Sequence, residues 1–150
     1  MNEQVIAKAE EIIKSKAAEV NMGAGVVLSL IDSDGYPTTS CLSISKSDGI
    51  KTILFCTTMD SNKAIRAKNN SKASVCLFDD EYEGGSYYNI TLVGDVEILT
   101  DATSKKDAWY DGLEEHCGSP DDPNYCVLRF TTKRYNLWVD IEGEEVTGSF

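Results

Sequence analysis

One stretch of the sequence combines hydroxyl groups, a lysine and a helix start, which is the chemistry of a phosphate-binding loop. It runs from Phe55 to Lys63 and reads FCTTMDSNK. Free N–H groups at a helix N-terminus, neighbouring hydroxyls and a lysine together make a cradle for phosphate. On these residues alone an ordinary helix start is the better interpretation, because Asp and Ser are preferred N-cap residues. The charge of Asp60 also opposes an anion unless its side chain turns away.

The other candidate side chains indicate less chemistry. His116 is the only histidine, and near a helix C-terminus an imidazole is simply favourable to the helix dipole. One histidine without spaced partners predicts neither a zinc site nor a catalytic triad. Trp109 and the Tyr87-Tyr88 pair are interpreted as core aromatics, and the acidic loop at 79–83 as solvated.

The composition sets limits on the class of protein. The chain has 150 residues and is 41% hydrophobic, which fits one domain over 1–150 with its own core. No apolar run is long enough to span a bilayer, and residues 1–20 lack a signal-peptide pattern, so we expect a cytoplasmic protein. A net charge of −11 argues against a nucleic-acid or anionic-membrane surface.

The cysteines indicate neither disulfides nor a metal site. There are five of them, with no C-x-x-C pair: Cys41, Cys56, Cys76, Cys117 and Cys126. Three of them lie in apolar, strand-like stretches, where a free cysteine behaves as a small core residue. We interpret all five as reduced thiols and predict no metal.

The elements that must position the loop follow from periodicity and turn signals. Helices are predicted at about 3–20, at 60–70 capped by Asp60 or Ser61, and at 104–116 capped by Thr103 and ended by Gly118. Strands are predicted at 25–33, 38–46, 51–57, 73–79, 87–100, 125–132 and 135–141, with a hairpin at Asp34-Gly35 and a bulge or bend at Gly94. Hairpins this short exclude parallel crossovers, so the pattern predicts an antiparallel barrel, closed or partly closed, with helices filling its gaps.

Four blocks, in order, resemble the pyridoxamine 5'-phosphate oxidase family. They are Gly35-Tyr36-Pro37 with 38–45, FCTTMDSNK with its continuation to Phe78, Tyr88-Asn89 through Leu99, and RYNLW at 134–138. Each block is weak alone, whereas the ordered set over about 25–140 is fairly specific. The resemblance is greatest to short members similar to general stress protein 26. It implies a mainly β, antiparallel Greek-key split barrel of six to seven strands with flanking helices.

The resemblance also implies a flavin mononucleotide (FMN) site at a homodimer interface. By position, the residues that would bind the cofactor are Ser40, Cys41, Leu42, Ser43, Ser45, Cys56, Thr57, Ser61, Asn62, Lys63, Asn89 and Trp138. Ser61, Asn62 and Lys63 would hold the phosphate, and Asn89 would lie beside the isoalloxazine ring. Trp138 would come from the second subunit.

Three cations of the family pattern are missing from this chain. Ser40 and Asn62 stand where the family has arginines, and Ser45 stands where it has a lysine. Lys63 would therefore be the main positive charge at the phosphate, and FMN binding should be weaker than in the parent oxidases. Possible substitutes for the missing cations are Lys46 and Arg66.

The C-terminal segment bears on the substrate. The Arg-x-His element by which the parent oxidases grip the pyridoxal substrate has no counterpart in 142–150, which contains neither Arg nor His. We therefore expect an FMN-dependent oxidoreductase, with a reduced nicotinamide or small molecule as electron donor, that is not a true pyridoxamine phosphate oxidase. The alternative is a carrier or sensor without turnover for FMN or another planar anionic ligand, such as haem.

Overall fold

A computed structural model of the chain describes residues 2–17, 26–79, 87–139 and 145–150. The helices in these ranges are α1 (Asn2–Ser15), α2 (Asn62–Asn69), α3 (Ala102–Ala108) and α4 (Glu114–Cys117). The strands are β1 (Val26–Ile31), β2 (Pro37–Cys41), β3 (Lys46–Asp48), β4 (Thr52–Thr58), β5 (Lys72–Asp79), β6 (Tyr88–Leu99), β7 (Tyr125–Val139) and β8 (Glu145–Ser149). No helix in these ranges has the length and apolarity needed to cross a membrane.

The strands form one sheet whose named strand pairs are all antiparallel, in the order β2-β1-β5-β6-β7-β4-β3, with β8 pairing β7. The two ends of this order, β2 and β3, are joined by residues 42–45. Within that link the Leu42 N–H donates to the Val26 carbonyl and the Ser45 N–H to the Leu54 carbonyl. The chain thus bridges the open side of a split barrel, and the predicted mainly β class is confirmed.

The barrel core follows from alternation along the strands. In β4 the inward side chains Ile53 and Phe55 are fully buried, whereas the residues between them are half-exposed, as expected where one face of a strand meets a core. The apolar stripe of α1, which includes Ala9 and Ile13, packs into the same core. Because Ile53 and Phe55 are anchored in this core, β4 is held in place up to its C-terminal end.

The first helix is shorter than the predicted 3–20. It ends at Ser15, and Ala17 forms an isolated bridge with Ile44. The chain there pairs with the strand link instead of making another helical turn. Residues 18–20, the rest of the predicted helix, lie outside the described residues.

A second apolar cluster lies on the other face of β4 and β7. Its buried members are Ala108, Leu113, Cys117, Tyr125 and Val127, with the outward side chains of β4, Leu54 and Cys56, packed against it. The cluster is covered by α3 and α4. These two short helices therefore sit beside the end of β4.

The single helix predicted over 104–116 is wrong. Trp109 is extended (φ −66°, ψ 139°) and ends α3, and Gly112 has φ 106°, so the chain turns before α4 begins. The cap is Asp101 and not Thr103, because the Asp101 carboxylate accepts the Ser104 N–H at 3.0 Å. Gly118 ends α4 with φ 81°, as predicted.

The described residues form a sheet of eight strands, one more than predicted. The predicted return strand at 38–46 is split into β2 and β3, the two predicted C-terminal strands are one continuous β7, and β8 is additional. The predicted irregularity at Gly94 is confirmed, since the register passes from Val93 opposite Arg134 to Gly94 opposite Thr132. That step absorbs one extra residue in β7. A Cβ at Gly94 would lie 1.9 Å from the Thr131 carbonyl oxygen.

Candidate functional site

A cavity of about 340 Å³ lies where β4 leaves the barrel, and we call it the β4 cavity. Three walls form it: the end of β2 with the link that follows, the end of β4 with the start of α2, and the segment from the α3–α4 turn through α4. Its lining residues are Cys41, Leu42, Ser43, Cys56, Thr57, Thr58, Lys63, Tyr110, Gly112, Leu113, His116 and Cys117. The cavity brings together six of the residues predicted to bind the cofactor.

Ser61 is the N-cap of α2, and its hydroxyl group is fully used. It donates to the Thr58 carbonyl at 2.7 Å and accepts from the Ala64 N–H at 3.1 Å and from the Thr57 hydroxyl at 3.0 Å. A hydroxyl has one proton and two lone pairs, so Ser61 has no spare donor for a ligand. In this arrangement it organises the loop rather than facing the cavity.

The start of α2 keeps positive groups available for an anion. In the described part of the chain, the N–H groups of Asn62 and Lys63 have no hydrogen-bond acceptor, as expected for the first turn of a helix. The Lys63 side chain is half-exposed, lines the cavity and makes no ion pair among the described residues. These groups can bind an anion without breaking an existing contact.

Asp60 does not oppose an anion at this position. Hydrogen bonds from the Thr58 side chain and then from the Asn124 amide hold the pKa of the Asp60 carboxyl below its ordinary value. The Asn124 contact is 3.2 Å long, and Asp60 is not among the residues that line the cavity. The carboxylate is therefore turned toward the 119–124 loop.

The thiol in the cavity wall is held in its neutral form. Burial raises the pKa of Cys56, although hydrogen bonds with Tyr125 and Ser45 partly offset that effect. The Cys56 thiol donates to the Ala108 carbonyl at 3.4 Å and lies 3.5 Å from the Tyr125 hydroxyl. Because the thiolate is the nucleophile, this geometry does not indicate nucleophilic catalysis by Cys56.

The third wall was missed by sequence reasoning. Tyr110, Gly112, Leu113, His116 and Cys117 line the cavity, although 104–116 was predicted as a plain amphipathic helix ending in a histidine favourable to the dipole. The wall is held at the end of β4 by the Cys117 thiol, which donates to the Thr57 carbonyl at 3.8 Å. The Asp-Gly pair at 111–112 was the signal of a turn that would have separated His116 from the first helix.

The remaining predicted residues of this region lie outside the cavity lining. Ser40 pairs with Leu28 in the β1–β2 ladder. Ser45 is buried, and its hydroxyl donates to the Ala108 carbonyl, which ties the strand link to α3. The exposed side chain of Asn62 is also outside the lining, so its backbone N–H is the group of this residue that remains as a candidate donor to an anion.

Asn89 and Trp138 lie together at a second depression, which we call the outer concavity. They are directly opposite each other in the β6–β7 ladder. The lining residues are Tyr87, Asn89, Thr91, Asn136, Trp138 and Glu145, around about 290 Å³. The Tyr87 and Trp138 rings meet edge to face at 4.6 Å, and the Asn136 amide donates to the Glu145 carboxylate at 2.6 Å. Neither predicted residue contributes to the β4 cavity of the same chain.

A row of side chains on the outer sheet face connects the two depressions. In successive strands the row is Cys41, Val27, Cys76, Thr91 and Asn136. None of the five is buried. Cys41 lines the β4 cavity and Asn136 lines the outer concavity. Four strand spacings of about 4.8 Å separate these two residues, which is about 19 Å along the sheet.

Metal-ligand clusters and disulfides are not features of the described residues. Within the described ranges, no three His, Cys, Asp or Glu side chains are grouped so that they could hold a metal ion. All five cysteines are free. The ion pairs of Asp95 with Lys72 and Lys133 lie on the surface of the sheet, away from both depressions.

Comparisons with known proteins agree on the fold. A family model described as pyridoxamine 5'-phosphate oxidase matches residues 14–139. A Clostridium acetobutylicum protein related to general stress protein 26 of B. subtilis, described as of the pyridoxinephosphate oxidase family, is 26% identical with a TM-score of 0.79, over 100% of this chain and 97% of that chain.

Two more distant structures share the fold. General stress protein 26 from Bacillus anthracis is 21% identical with a TM-score of 0.67, over 91% of this chain and 96% of that chain. A haem-binding protein from Mycobacterium smegmatis is 16% identical with a TM-score of 0.69, over 94% of this chain and 57% of that chain. A search of curated protein sequences found no match.

Proposed function

The chain belongs to the pyridoxamine 5'-phosphate oxidase family, and from its site we propose that it is an FMN-binding flavoprotein that transfers electrons. The observation that carries this proposal is the β4 cavity, which combines a lysine, free helix N–H groups and a half-apolar wall in one place. Deep clefts with a few convergent polar groups are the usual form of a cofactor site.

The start of α2 fits the phosphate of FMN. The N–H groups of Asn62 and Lys63, the Lys63 ammonium group and the positive end of the helix dipole all favour a dianion. The Asp60 carboxylate accepts a hydrogen bond from Asn124 and lies outside the cavity lining, so it is turned away from the proposed phosphate position. We propose that Thr57 and Ser61 act through the loop conformation, because both hydroxyls are already engaged with each other.

The rest of the cavity fits the ring system. Leu42, Cys56, Tyr110 and Leu113 give it an apolar wall, and Ser43 adds a hydroxyl. A volume of about 340 Å³ is at the lower end of the roughly 300–1,000 Å³ usual for ligand sites. We propose that one subunit encloses only part of FMN and that a second subunit completes the site.

The outer sheet face supports a homodimer. The row from Cys41 to Asn136 includes Val27 and Cys76, which are half-exposed, and Phe78 on the same face is 49% exposed. In an isologous pair with its two-fold axis near Cys76, the outer concavity of each copy would cover the β4 cavity of the other. Trp138 and Asn89 would then both come from the partner subunit.

The electron-transfer chemistry would belong to the cofactor. When bound, FMN would supply the transfer of a hydride or electrons between a reduced nicotinamide or small substrate and an acceptor, and the protein would bind and orient the reactants. Cys56 and Tyr110 in the wall stay protonated at neutral pH, since burial raises the pKa of both groups. They supply hydrogen bonds rather than negative charge. The five free thiols are compatible with the reducing cytoplasm, where we propose that the protein acts.

The test of this function is a pair of titrations with FMN and riboflavin, followed by anaerobic addition of NADH and NADPH. We expect FMN to bind at least tenfold more tightly than riboflavin, because the α2 groups recognise the phosphate. Bleaching of the flavin absorbance by a nicotinamide would support turnover. Equal affinity for the two flavins would refute a phosphate-reading site, and the absence of any flavin binding would refute the function.

Haem is the second candidate ligand, and one specific observation favours it. His116 lines the β4 cavity, and an imidazole can coordinate haem iron. A relative with this fold is described as a haem-binding protein. Titration with haemin distinguishes the candidates, since an iron-bound histidine would give a sharp Soret shift that is lost in His116→Ala.

A further inference from the structure

We propose that His116 is a second phosphate-binding group of this site, acting from α4 opposite Lys63 on α2. The proposal rests on the FMN function proposed above and adds a residue to it. Among the described residues that line the β4 cavity, Lys63 and His116 are the only two with basic side chains. An acidic chain with a net charge of −11 needs local donors to retain a dianion.

The position of His116 is set by contacts on both sides of it. Leu113 and Cys117 are buried in the second apolar cluster, and the Cys117 thiol donates to the Thr57 carbonyl. The His116 N–H is used within α4, where it donates to the Leu113 carbonyl at 3.0 Å. The imidazole itself is exposed, lines the cavity and makes no hydrogen bond among the described residues. It is thus held beside Thr57 and Thr58 with both ring nitrogens available.

The two basic residues approach the end of β4 from different elements. Lys63 follows β4 directly along the chain. His116 is brought to the same place by its neighbour Cys117, which contacts Thr57 although the two are 60 positions apart in the sequence. A phosphate at the start of α2 would meet Lys63 and the helix N–H groups on one side. On the α4 side of the described lining, His116 is the basic side chain, whereas Tyr110 has only a neutral phenol O–H and Cys117 donates its weak S–H to the Thr57 carbonyl.

No carboxylate in the described part of the cavity competes for these donors. Glu114 accepts the Gly112 N–H at 2.9 Å, and Asp60 is bonded to Asn124. Asp122 accepts the Asn124 N–H at 2.8 Å. Glu115 is exposed and outside the lining. An imidazole donates through one N–H when neutral and through two when protonated, so His116 can bind phosphate in either state.

The experiment measures the preference for FMN over riboflavin in His116→Gln. We expect a loss of about 10- to 30-fold in FMN affinity, the lower part of the range for one hydrogen bond to a charged group because the imidazole is exposed to water, with less than a twofold change for riboflavin. Glu115→Gln is the matched control, because it changes the neighbouring exposed residue and should preserve the preference. His116→Lys should restore most of the FMN affinity, and a melting curve of each apoprotein shows that it is folded.

Three results would overturn this assignment. One is an unchanged FMN preference in His116→Gln, and another is an equal loss for both flavins, which would place His116 at the ring or make it structural. The third is loss of haemin binding in His116→Gln with FMN affinity unchanged, which would make the histidine an iron ligand. The wild-type protein distinguishes failure of the FMN function itself from failure of this assignment. If the function is wrong, the wild-type protein will show no preference for FMN over riboflavin.

Discussion

Replacing Lys63 with alanine should weaken FMN binding while leaving the free protein as stable as before. The ammonium group is half-exposed and has no partner among the described residues, so its loss removes one charge-assisted contact to the ligand and nothing else. Such a contact contributes about 1.5–3 kcal/mol. Because the Lys63 side chain is partly exposed to water, we expect the lower half of this range, about 1.5–2 kcal/mol, which corresponds to roughly a 10- to 30-fold increase in Kd. A cation in the first turn of a helix is unfavourable to the dipole, so the melting temperature should stay constant or rise slightly.

Isothermal titration of FMN and thermal unfolding of the apoprotein measure the two effects separately. Lys68→Ala is the matched control, since Lys68 is an exposed lysine at the other end of the same helix and should leave Kd unchanged. Ser61→Ala should behave in the opposite way, because loss of the N-cap bond to Ala64 costs about 0.5–2 kcal/mol of stability. If Lys63→Ala unfolds the apoprotein, or binds FMN as well as the wild type, the assignment of this lysine to the phosphate is wrong.

Three further predictions follow from the fold and the interface. Gly94→Ala should destabilise the protein by at least about 2 kcal/mol in urea unfolding, since the new Cβ would collide with the Thr131 backbone oxygen. Gly35→Ala is the control, because space there is open and only the φ of 87° is unfavourable, and it should cost about 1–2 kcal/mol. Equal costs for the two substitutions would argue against the close approach of β7 to Gly94. Burial raises the pKa of Cys117 and of Cys126 to about 11 from an ordinary 9.0, so the folded state holds these protons more tightly, and stability should be constant below about pH 9 and fall as the pH rises toward 11. Cys126→Ala should make that decrease shallower in urea titrations, and an unchanged slope would remove this thiol as a cause. Sedimentation should give about twice 16.5 kDa, and Trp138→Ala should weaken FMN binding by about 0.5–1.5 kcal/mol without dissociating the dimer; a monomer that binds FMN tightly would contradict the two-subunit site.

The parts of the fold that local chemistry determines could be predicted from the sequence. The Asp34-Gly35 pair gives a tight turn in which the Asp32 carboxylate accepts the N–H groups of Asp34 and Tyr36, both at 2.9 Å. Gly94 marks an irregularity because only a residue without a side chain tolerates the close approach of β7. Both signals are contained in a few adjacent residues, so no knowledge of the rest of the chain was needed.

The errors arose where distant partners decide the structure. Lys133 and Arg134 look like a turn between two strands, yet β7 runs through them because the step at Gly94 absorbs Lys133 and β8 pairs with the segment beyond. Trp109 and Leu113 have helical spacing, yet they contact the second apolar cluster from either side of a turn. Spacing alone does not distinguish a continuous helix from two short elements that pack on the same surface.

The candidate site also has one part that is local in the sequence and one part that only tertiary packing brings into place. The segment from Cys56 to Lys63 is one local loop. Its residue types alone favoured an ordinary helix start, and the ordered blocks of the family resemblance indicated the phosphate site. The wall containing Tyr110 and His116 could not be predicted, because it reaches the loop only through tertiary packing such as the contact between Cys117 and Thr57. Asn89 and Trp138 were predicted from two separate blocks of the resemblance, and the ladder places them side by side and away from the β4 cavity.

The most direct test of the two-subunit FMN site is a crystal structure of the protein grown with FMN. We expect the phosphate within about 2.7–3.2 Å of the Lys63 Nζ and of the N–H groups of Asn62 and Lys63, with the ring in the β4 cavity and Trp138 of a partner subunit beside it. A phosphate bound elsewhere, or a flavin enclosed by a single chain with Trp138 in contact only with its own sheet, would contradict the account.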